Sequence, residues 1–426
     1  MKTVENLAFK GGGVLGAAYA GVYRALQEVK LLGSDRTVPL SEIANPLSVT
    51  VYGNVKRVAG TSAGAIFATM VALGLTYQET EAVLNSVNFQ DFVDFDENFA
   101  EDGGFLKGEK FLKWMTEFVY KYFGALIGED DPTFGDLAAA IADTKKYPPL
   151  LFKDLHVFSH QDWPGRTVEF CAQSTPDVPI ARAVRASMSI PFIFKPWTFA
   201  GDLGKRYPGL FFDGGTAFNY PVSAFDSGEA DRKTLGFYLS ETSFDQQGLF
   251  PELLAHAAMK TLDLSAGEAS FVEAIMEWAK QAYQRGYIDL PDQADFIKGP
   301  LIGAGGAKSD LVSAQKVLAA VSDAQQAMKK PGGKRADAVA LFKNRNLINQ
   351  EEYDFLTAID NWYGAISAVQ NTPTNMVFDR DASRSIFVDT LGYLYFDFWL
   401  PDCDTANLID SGYACTRSYL SLIMYS

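Results

Sequence analysis

Two short apolar runs near the start of the chain each pass through a glycine-rich turn into a segment whose apolar residues have helical spacing. The first run is Asn6–Phe9, and the second ends at Gly60 and leads into Ala63–Leu73. After the first turn, apolar residues recur every three or four positions, at Ala18, Val22, Ala25, Leu26 and Val29. Such runs predict strands, and such spacing predicts helices. Two successive strand–turn–helix units predict an α/β domain with parallel strands.

Further elements follow as far as about residue 245. The stretch 106–123 has aromatic and aliphatic residues at helical spacing and predicts an amphipathic helix. Such a stripe is typical of core packing, although a lipid-facing or pocket-capping role also fits it. Three later apolar runs predict strands, at 167–174, 209–218 and 234–239.

The remainder of the chain changes character twice. Residues 246–375 are rich in Ala, Lys and Gln and are interrupted by glycine-rich, loop-like stretches, which predicts a helical insertion or cap. Within 376–426, the segments Ser383–Thr390 and Tyr393–Leu400 return to strand composition. We therefore expect a catalytic domain over 1–245, an insertion over 246–375, and a C-terminal segment that rejoins the main sheet.

Composition restricts partners and location. The formal charge of −15 over 426 residues argues against a nucleic-acid partner, because phosphate binding needs a basic field. Any membrane contact must then be local and apolar. The three cysteines, Cys171, Cys403 and Cys415, include no C-x-x-C pair and fit a reducing compartment. The N-terminus has no signal-peptide pattern, and no apolar run of about 18 residues occurs. We expect a soluble cytoplasmic protein, and secretion without a signal peptide stays open.

The second glycine turn carries a candidate nucleophile. Residues Gly60–Gly64 read Gly-Thr-Ser-Ala-Gly, which matches the G-x-S-x-G pattern of a nucleophile elbow. A strand pattern precedes the motif and a helix pattern follows it, as this elbow requires. The motif alone also arises by chance. In this context it predicts that Ser62 presents its hydroxyl at a helix N-terminus.

The first glycine turn suggests where negative charge would be stabilised. Successive glycines at Gly11, Gly12 and Gly13 allow backbone N–H groups to point into one concavity at a helix N-terminus, as in an oxyanion hole. A tight turn without a ligand is the alternative. Together with Gly16 the segment also matches G-x-G-x-x-G. The dinucleotide interpretation, however, needs an acidic residue at the end of a second strand, and no convincing strand precedes Asp35 or Glu42.

A candidate base follows a later strand. Asp213 ends an apolar run and precedes two glycines, where burying a carboxylate is unfavourable unless it is paired or functional. An Asx turn that closes a loop is the alternative. The three histidines are poor candidates. His156 and His160 are four residues apart, but no Glu follows His156, so they do not match H-E-x-x-H. His256 mimics a Ser–Asp–His order, but too few strands precede Ser62 for an α/β-hydrolase.

Four segments resemble the patatin-like phospholipase family, in the family's order. They are Ala8–Leu26, Arg57–Gly74, Ala181–Phe194 and Leu210–Val222. The resemblance implies a three-layer α/β/α fold with a central, mostly parallel sheet. It also implies a Ser–Asp dyad that needs no histidine, with Ser62 as nucleophile and Asp213 as base, and a glycine loop that holds the oxyanion. No metal and no cofactor are implied.

One position departs from the family's pattern. Leu15 stands where these proteins often have Arg or Lys, and Lys10 is a candidate to supply part of the missing charge. The function expected from the resemblance is hydrolysis of lipid acyl esters, of the phospholipase A or lysophospholipase type, with transient contact to a membrane surface. A neutral-lipid or soluble-ester hydrolase is the first alternative. An effector module whose insertion binds a protein partner is the second, and a protein activator stays open.

Overall fold

The computed structural model describes the chain mainly up to residue 240 and again near its C-terminus. The described residues are 4–87, 89–94, 96, 104–162, 165–228, 230–240, 323, 340–341, 343–344, 350, 381, 384–391 and 402–425. The chain divides into two compact units, one made of Met1–Glu241 with Ala368–Ser426 and the other of Thr242–Ser367. His256, the predicted strand 393–400 and nearly all of the predicted insertion 246–375 lie outside the described residues, so the helical character of the insertion stays a prediction.

The strands of the first unit follow the sequence pattern closely near the N-terminus. In chain order they are β1 (Asn6–Phe9), β2 (Leu32–Ser34), β3 (Val51–Gly53), β4 (Arg57–Thr61), β5 (Gly104–Leu106), β6 (Asp154–Gln161), β7 (Arg166–Phe170), β8 (Phe192–Phe194), β9 (Phe211–Asp213), β10 (Thr234–Ser240) and β11 (Ser385–Asp389).

Seven strands of the described residues form one mixed sheet in the order β11–β10–β1–β4–β6–β7, with β9 also paired to β6. The pairs from β11 to β6 are parallel, whereas β7 and β9 run antiparallel to β6. In β1, Leu7, Ala8 and Phe9 are fully buried, as expected for a parallel strand covered on both faces. Helices flank this sheet, which confirms the predicted three-layer α/β/α class.

The described helices are α1 (Ala18–Glu28), α2 (Ala63–Ala72), α3 (Tyr77–Ser86), α4 (Glu109–Val119), α5 (Ala125–Ile127), α6 (Phe134–Ala142), α7 (Ile180–Ser187), α8 (Gly201–Arg206) and α9 (Asp402–Tyr425). A single π-helical turn, Tyr120–Gly124, joins α4 to α5. No helix among the described residues has the length and apolarity needed to cross a membrane.

The aromatic helix begins later than the pattern predicted. Its first residues donate to a distant carboxylate: Gly108 N–H reaches Asp94 Oδ1 at 2.8 Å, and Glu109 N–H reaches Asp94 Oδ2 at 2.7 Å. Because this cap fixes the N-terminus, Leu106 belongs instead to β5, which pairs with β8. The aromatic stripe is core, since Phe111, Met115, Phe118, Val119 and Phe123 are buried.

In the C-terminal part of the chain, β11 pairs with β10, and the helix α9, which the sequence pattern did not predict, lies further along the chain. This helix packs closely on α1 at two glycines. A Cβ on Gly21 would lie 1.7 Å from Ile409 O, and a Cβ on Gly412 would lie 2.0 Å from Ala18 O. No larger residue fits at either crossing, so the two backbones are in direct contact.

Candidate active site

Ser62 sits at the sharp turn between β4 and α2. Its φ of 54° and ψ of −127° place a non-glycine residue in a sparsely populated, strained region of backbone space. Both motif glycines are required by close approach. A Cβ on Gly60 would lie 2.1 Å from Gly64 O, and a Cβ on Gly64 would lie 2.2 Å from Phe9 O. The G-x-S-x-G spacing therefore produces the strand–turn–helix geometry that it predicted.

A second serine, which sequence reasoning missed, holds the elbow in place. Ser187 Oγ accepts the Ser62 N–H at 2.8 Å and donates to Phe158 O at 2.5 Å. Ser187 is fully buried. The hydroxyl of Ser62 itself lies 3.5 Å from Met188 Sδ, toward which it donates. The end of α7 thus supports the turn through Ser187 and occupies the space beside the hydroxyl through Met188.

Asp213 ends β9 opposite Ser159 of β6. Its N–H donates to Ser189 O at 2.8 Å, and its Oδ1 accepts the Gly215 N–H at 2.6 Å, which is the Asx turn weighed as an alternative role. Its Oδ2 is buried and has no hydrogen-bond partner within the described part of the chain. Burial raises the pKa of Asp213 to about 7, against the lowering effect of the Ser62 hydroxyl and the Gly215 amide.

The sheet brings the two predicted residues together. Strands β4 and β9 pair one after the other along the same edge of β6, because β7 occupies the other edge. Thr61 of β4 lies opposite Phe158, and Asp213 of β9 lies opposite Ser159. Ser62 follows Thr61 directly, so the end of β4 that carries Ser62 meets the end of β9 that carries Asp213 along this edge. A Cβ on Gly214 would lie 2.8 Å from Thr61 Cγ2, which shows how closely the two turns approach.

The glycine loop lies against the same serine. A Cβ on Gly11 would lie 3.0 Å from Ser62 Cβ and 2.3 Å from Asn219 Oδ1. Gly13 begins a tight 3-10 turn at a φ of 54°, where glycine is strongly favoured. The Gly11 N–H is already engaged, because it donates to Asn219 O at 3.0 Å. The amides of Gly12 and Gly13 donate to no acceptor among the described residues, so they are the two that remain for an oxyanion.

The position that departs from the family pattern is internal. Leu15 is fully buried, so it presents no side chain at the mouth of the loop. Lys10 is also buried; its Nζ lies 3.5 Å from Gly11 O and 4.9 Å from the centre of the Tyr238 ring. The ammonium therefore lies beside the backbone that begins the glycine loop. Whether it replaces the family's basic residue stays a prediction.

The described histidines take no part in this arrangement. His156 and His160 both lie on β6, and neither ring hydrogen bonds to Ser62 or Asp213 within the described residues. His156 is held by Glu169 and Asp154 instead. Burial lowers the pKa of His160.

Comparison with known proteins identifies the family of the chain. The family model described as Patatin-like phospholipase matches residues 7–226, just over half of the chain, and the protein therefore belongs to the patatin-like phospholipase family. Protein YqhO of Bacillus subtilis is 30% identical over 244 residues, which cover 54% of this chain and 70% of YqhO. Protein R571 of Acanthamoeba polyphaga mimivirus is 26% identical over 280 residues, which cover 64% of this chain and 79% of R571.

Solved structures with a similar chain path include two bacterial proteins. VipD from Legionella pneumophila is 15% identical with a TM-score of 0.39, over 98% of this chain and 90% of VipD. ExoU, crystallised with SpcU from the type III secretion system of Pseudomonas aeruginosa, is 14% identical with a TM-score of 0.34, over 86% of this chain and 91% of that chain.

Proposed function

We propose that the protein is a lipid acyl hydrolase in which Ser62 is the nucleophile and Asp213 the general base. The observation that carries this proposal is the carboxyl of Asp213. Its Oδ1 closes a turn, whereas its Oδ2 is buried and has no hydrogen-bond partner among the described residues. The Ser62 hydroxyl is near enough to this carboxyl to lower its pKa. A buried acceptor left without a partner is unfavourable by about 1–3 kcal/mol, so its retention beside a strained serine favours a catalytic role.

The proton transfers follow from this geometry. A turn about the Cα–Cβ bond of Ser62 moves its hydroxyl from Met188 Sδ toward Asp213 Oδ2. Asp213 takes the proton as Ser62 Oγ attacks the ester carbonyl, and it returns the proton to the leaving alcohol. Water, deprotonated by the same carboxylate, then attacks the acyl carbonyl; the bond to Ser62 Oγ breaks, the fatty acid leaves, and Asp213 returns the proton to Ser62 Oγ. A pKa of about 7 suits both steps near neutral pH, where a carboxyl with an ordinary pKa would be too weak a base.

Negative charge on the attacked carbonyl oxygen would be stabilised from two directions. The amides of Gly12 and Gly13 are available on one side. Helix α2 begins at Ala63, so its positive end lies at the serine. Preorganised donors of this kind contribute roughly 3–4 kcal/mol each in acyl transfer.

Family membership supports a phospholipid or lysophospholipid as the substrate class. The acidic chain cannot dock on an anionic surface by long-range attraction, so we propose a local and transient apolar contact with the membrane. Each of the cysteines Cys171, Cys403 and Cys415 is a free thiol, which supports a cytoplasmic location. Neutral lipids and soluble esters are the alternative substrates for the same two residues.

Release of fatty acid from defined lipids tests the proposal. Wild type, Ser62→Ala and the matched surface control Ser418→Ala would each be incubated with phosphatidylcholine vesicles, lysophosphatidylcholine micelles and triacylglycerol emulsions. We expect wild type and Ser418→Ala to release fatty acid from the phospholipids and Ser62→Ala to release none. Equal release by all three proteins would overturn the role of Ser62. Release of fatty acid from triacylglycerol alone would agree with the proposed roles of Ser62 and Asp213 but would overturn the phospholipid as substrate in favour of a neutral lipid.

A further inference from the structure

A second group of reactive side chains lies at the β6–β7 edge of the sheet, apart from the candidate active site. The antiparallel register pairs Val157 with Phe170, so the next rung places His156 opposite Cys171. Side chains two residues apart on a strand share one face. Asp154 therefore lies on the same face as His156, and Glu169 on the same face as Cys171.

The distances within this group are short. His156 Nδ1 lies 2.7 Å from Glu169 Oε1, and His156 Nε2 lies 3.2 Å from Asp154 Oδ2. One donor atom each from His156, Glu169 and Cys171 lie within 4.8 Å of one another. Four-coordinate zinc, with bonds of about 2.0–2.3 Å, has ligand atoms roughly 3.5 Å apart. A small adjustment of the Glu169 side chain would thus accommodate an ion among the three.

We propose that His156, Glu169 and Cys171 form a zinc site. Thiolate, imidazole and carboxylate together are a donor set typical of Zn²⁺ and disfavoured by Mg²⁺ or Ca²⁺, which take oxygen ligands. Because Nδ1 faces Glu169, an ion shared with that carboxylate would be bound through Nδ1. Nε2 would keep its hydrogen bond to Asp154, which is the carboxylate–histidine–metal arrangement that orients such ligands.

Burial and access fit an ion of this kind. Cys171 and His156 are 3% and 8% exposed, whereas the side chain of Glu169 is 39% exposed and leaves an entry path. The rings of Phe225 and His156 pack nearly perpendicular to each other, with centroids 4.9 Å apart. The guanidinium of Arg57 lies over the Phe225 ring, 4.5 Å from its centre. The ligands are therefore held in a largely dry environment with one open side.

Hydrogen bonds within the cluster act against the effect of burial on both ligands. Burial would raise the pKa of the Cys171 thiol, but hydrogen bonds from His156 and Ser174 lower it. Burial would lower the pKa of His156, but its hydrogen bonds to Asp154, Cys171 and Glu169 raise it to about 11. Zinc takes a neutral imidazole and a thiolate, so its binding would release the protons of these two ligands to solvent.

The sequence alone offers a metal interpretation only for the pair His156 and His160, which lacks the glutamate of the metalloprotease motif. In the structure, the residues close to His156 are Glu169 and Cys171, which come after β6 in the chain, and the cluster does not include His160. The signal in the sequence is a pair of short patterns, Asp-x-His at 154–156 and Glu-x-Cys at 169–171, which become one cluster only through the antiparallel register.

Cobalt substitution tests the site directly. The full-length protein would be stripped with a chelator and titrated with Co²⁺, whose thiolate charge-transfer absorption reports a bound cysteine. We expect one equivalent to bind with this absorption, and Zn²⁺ to abolish it. Cys171→Ser should lose the absorption, whereas the matched control Cys403→Ser, at an exposed position on α9, should keep it. Absence of the absorption in wild type, or its persistence in Cys171→Ser, would overturn the site.

A second measurement on wild type covers the case in which Cys171→Ser does not fold. The rates of alkylation of Cys171 and Cys403 would be compared by peptide mapping with and without one equivalent of Zn²⁺. We expect zinc to slow alkylation of Cys171 at least tenfold and to leave Cys403 unchanged. Equal rates at Cys171 in the two conditions would contradict the proposal.

Discussion

Replacing Asp213 by Asn should abolish activity and, at neutral to alkaline pH, stabilise the protein. The carboxyl is buried, and its pKa is raised from 3.8 to about 7 by that burial. Between these values the unfolded chain carries an ionised Asp213 and the folded chain a protonated one, so stability falls as pH rises through this window. Above pH 7 the folded protein must keep the charge buried. Asn has nearly the same shape and removes the charge.

The size of the effect follows from the pKa. Each tenfold change in the acid equilibrium corresponds to about 1.4 kcal/mol at 25 °C, so the full effect of Asp213 at pH 8 is about 4 kcal/mol. The side-chain amide of the new Asn places a polar atom where Oδ2 lies, and imperfect hydrogen bonding there would offset roughly 1–2 kcal/mol of this gain. We therefore expect Asp213→Asn to be about 2–3 kcal/mol more stable than wild type at pH 8, with no such gain at pH 4.

The assay is urea-induced unfolding of wild type and Asp213→Asn at pH values from 4 to 9, followed by tryptophan fluorescence. Asp410→Asn, at an exposed position on α9, is the matched control, and its stability relative to wild type should not change with pH in this way. A stability difference for Asp213→Asn that stays flat from pH 4 to pH 8 would refute the raised pKa. An active Asp213→Asn enzyme would refute its role as base.

Three further predictions concern the same residues. The kcat/KM of wild type on a soluble ester should rise with pH to a plateau, with a midpoint near 7 set by ionisation of Asp213, and His160→Gln should keep that midpoint; a pH–rate profile measures both. Ser187→Ala removes the acceptor of the Ser62 N–H, so kcat should fall roughly 10- to 100-fold with KM little changed, and Ser187→Thr should restore part of kcat. Steady-state kinetics measure both values, and an unchanged kcat in Ser187→Ala would show that Ser187 is only a packing residue. Gly11→Ala places a methyl group 3.0 Å from Ser62 Cβ, and it should lose most activity while circular dichroism stays near that of wild type.

The candidate site was largely predictable because its signals are local. The elbow at Ser62, the glycine loop and the turn after Asp213 are each set by glycines within a few residues of the functional group. Local spacing also predicts that strands end at these turns. The parallel pair β1 and β4 brings the glycine loop and Ser62 to one edge of the sheet, whereas Asp213 arrives there on β9, which runs antiparallel to β6. The resemblance to the patatin-like family then favoured a Ser–Asp pair, and the small number of strands before Ser62 argued against a triad that includes His256.

The remaining features depend on tertiary packing, which carries no local signal. Ser187 matters because α7 ends over β6, and its sequence reads as an ordinary helix end. The Gly11 amide is engaged because Asn219, about two hundred residues later, returns to it. The late start of α4 likewise depends on Asp94, and the contact of α9 with α1 depends on Gly21 facing a helix at the other end of the chain.

The central claim, a Ser62–Asp213 dyad that uses no histidine, is tested most directly by covalent labelling with a fluorophosphonate, followed by peptide mapping. The measured quantity is the labelling rate at Ser62 in wild type, Asp213→Asn, and a variant that carries both His160→Gln and His256→Gln. We predict a single adduct at Ser62 in wild type, an equal rate in the double histidine variant, and loss of labelling in Asp213→Asn. Labelling that survives in Asp213→Asn and disappears in the double histidine variant would contradict the dyad.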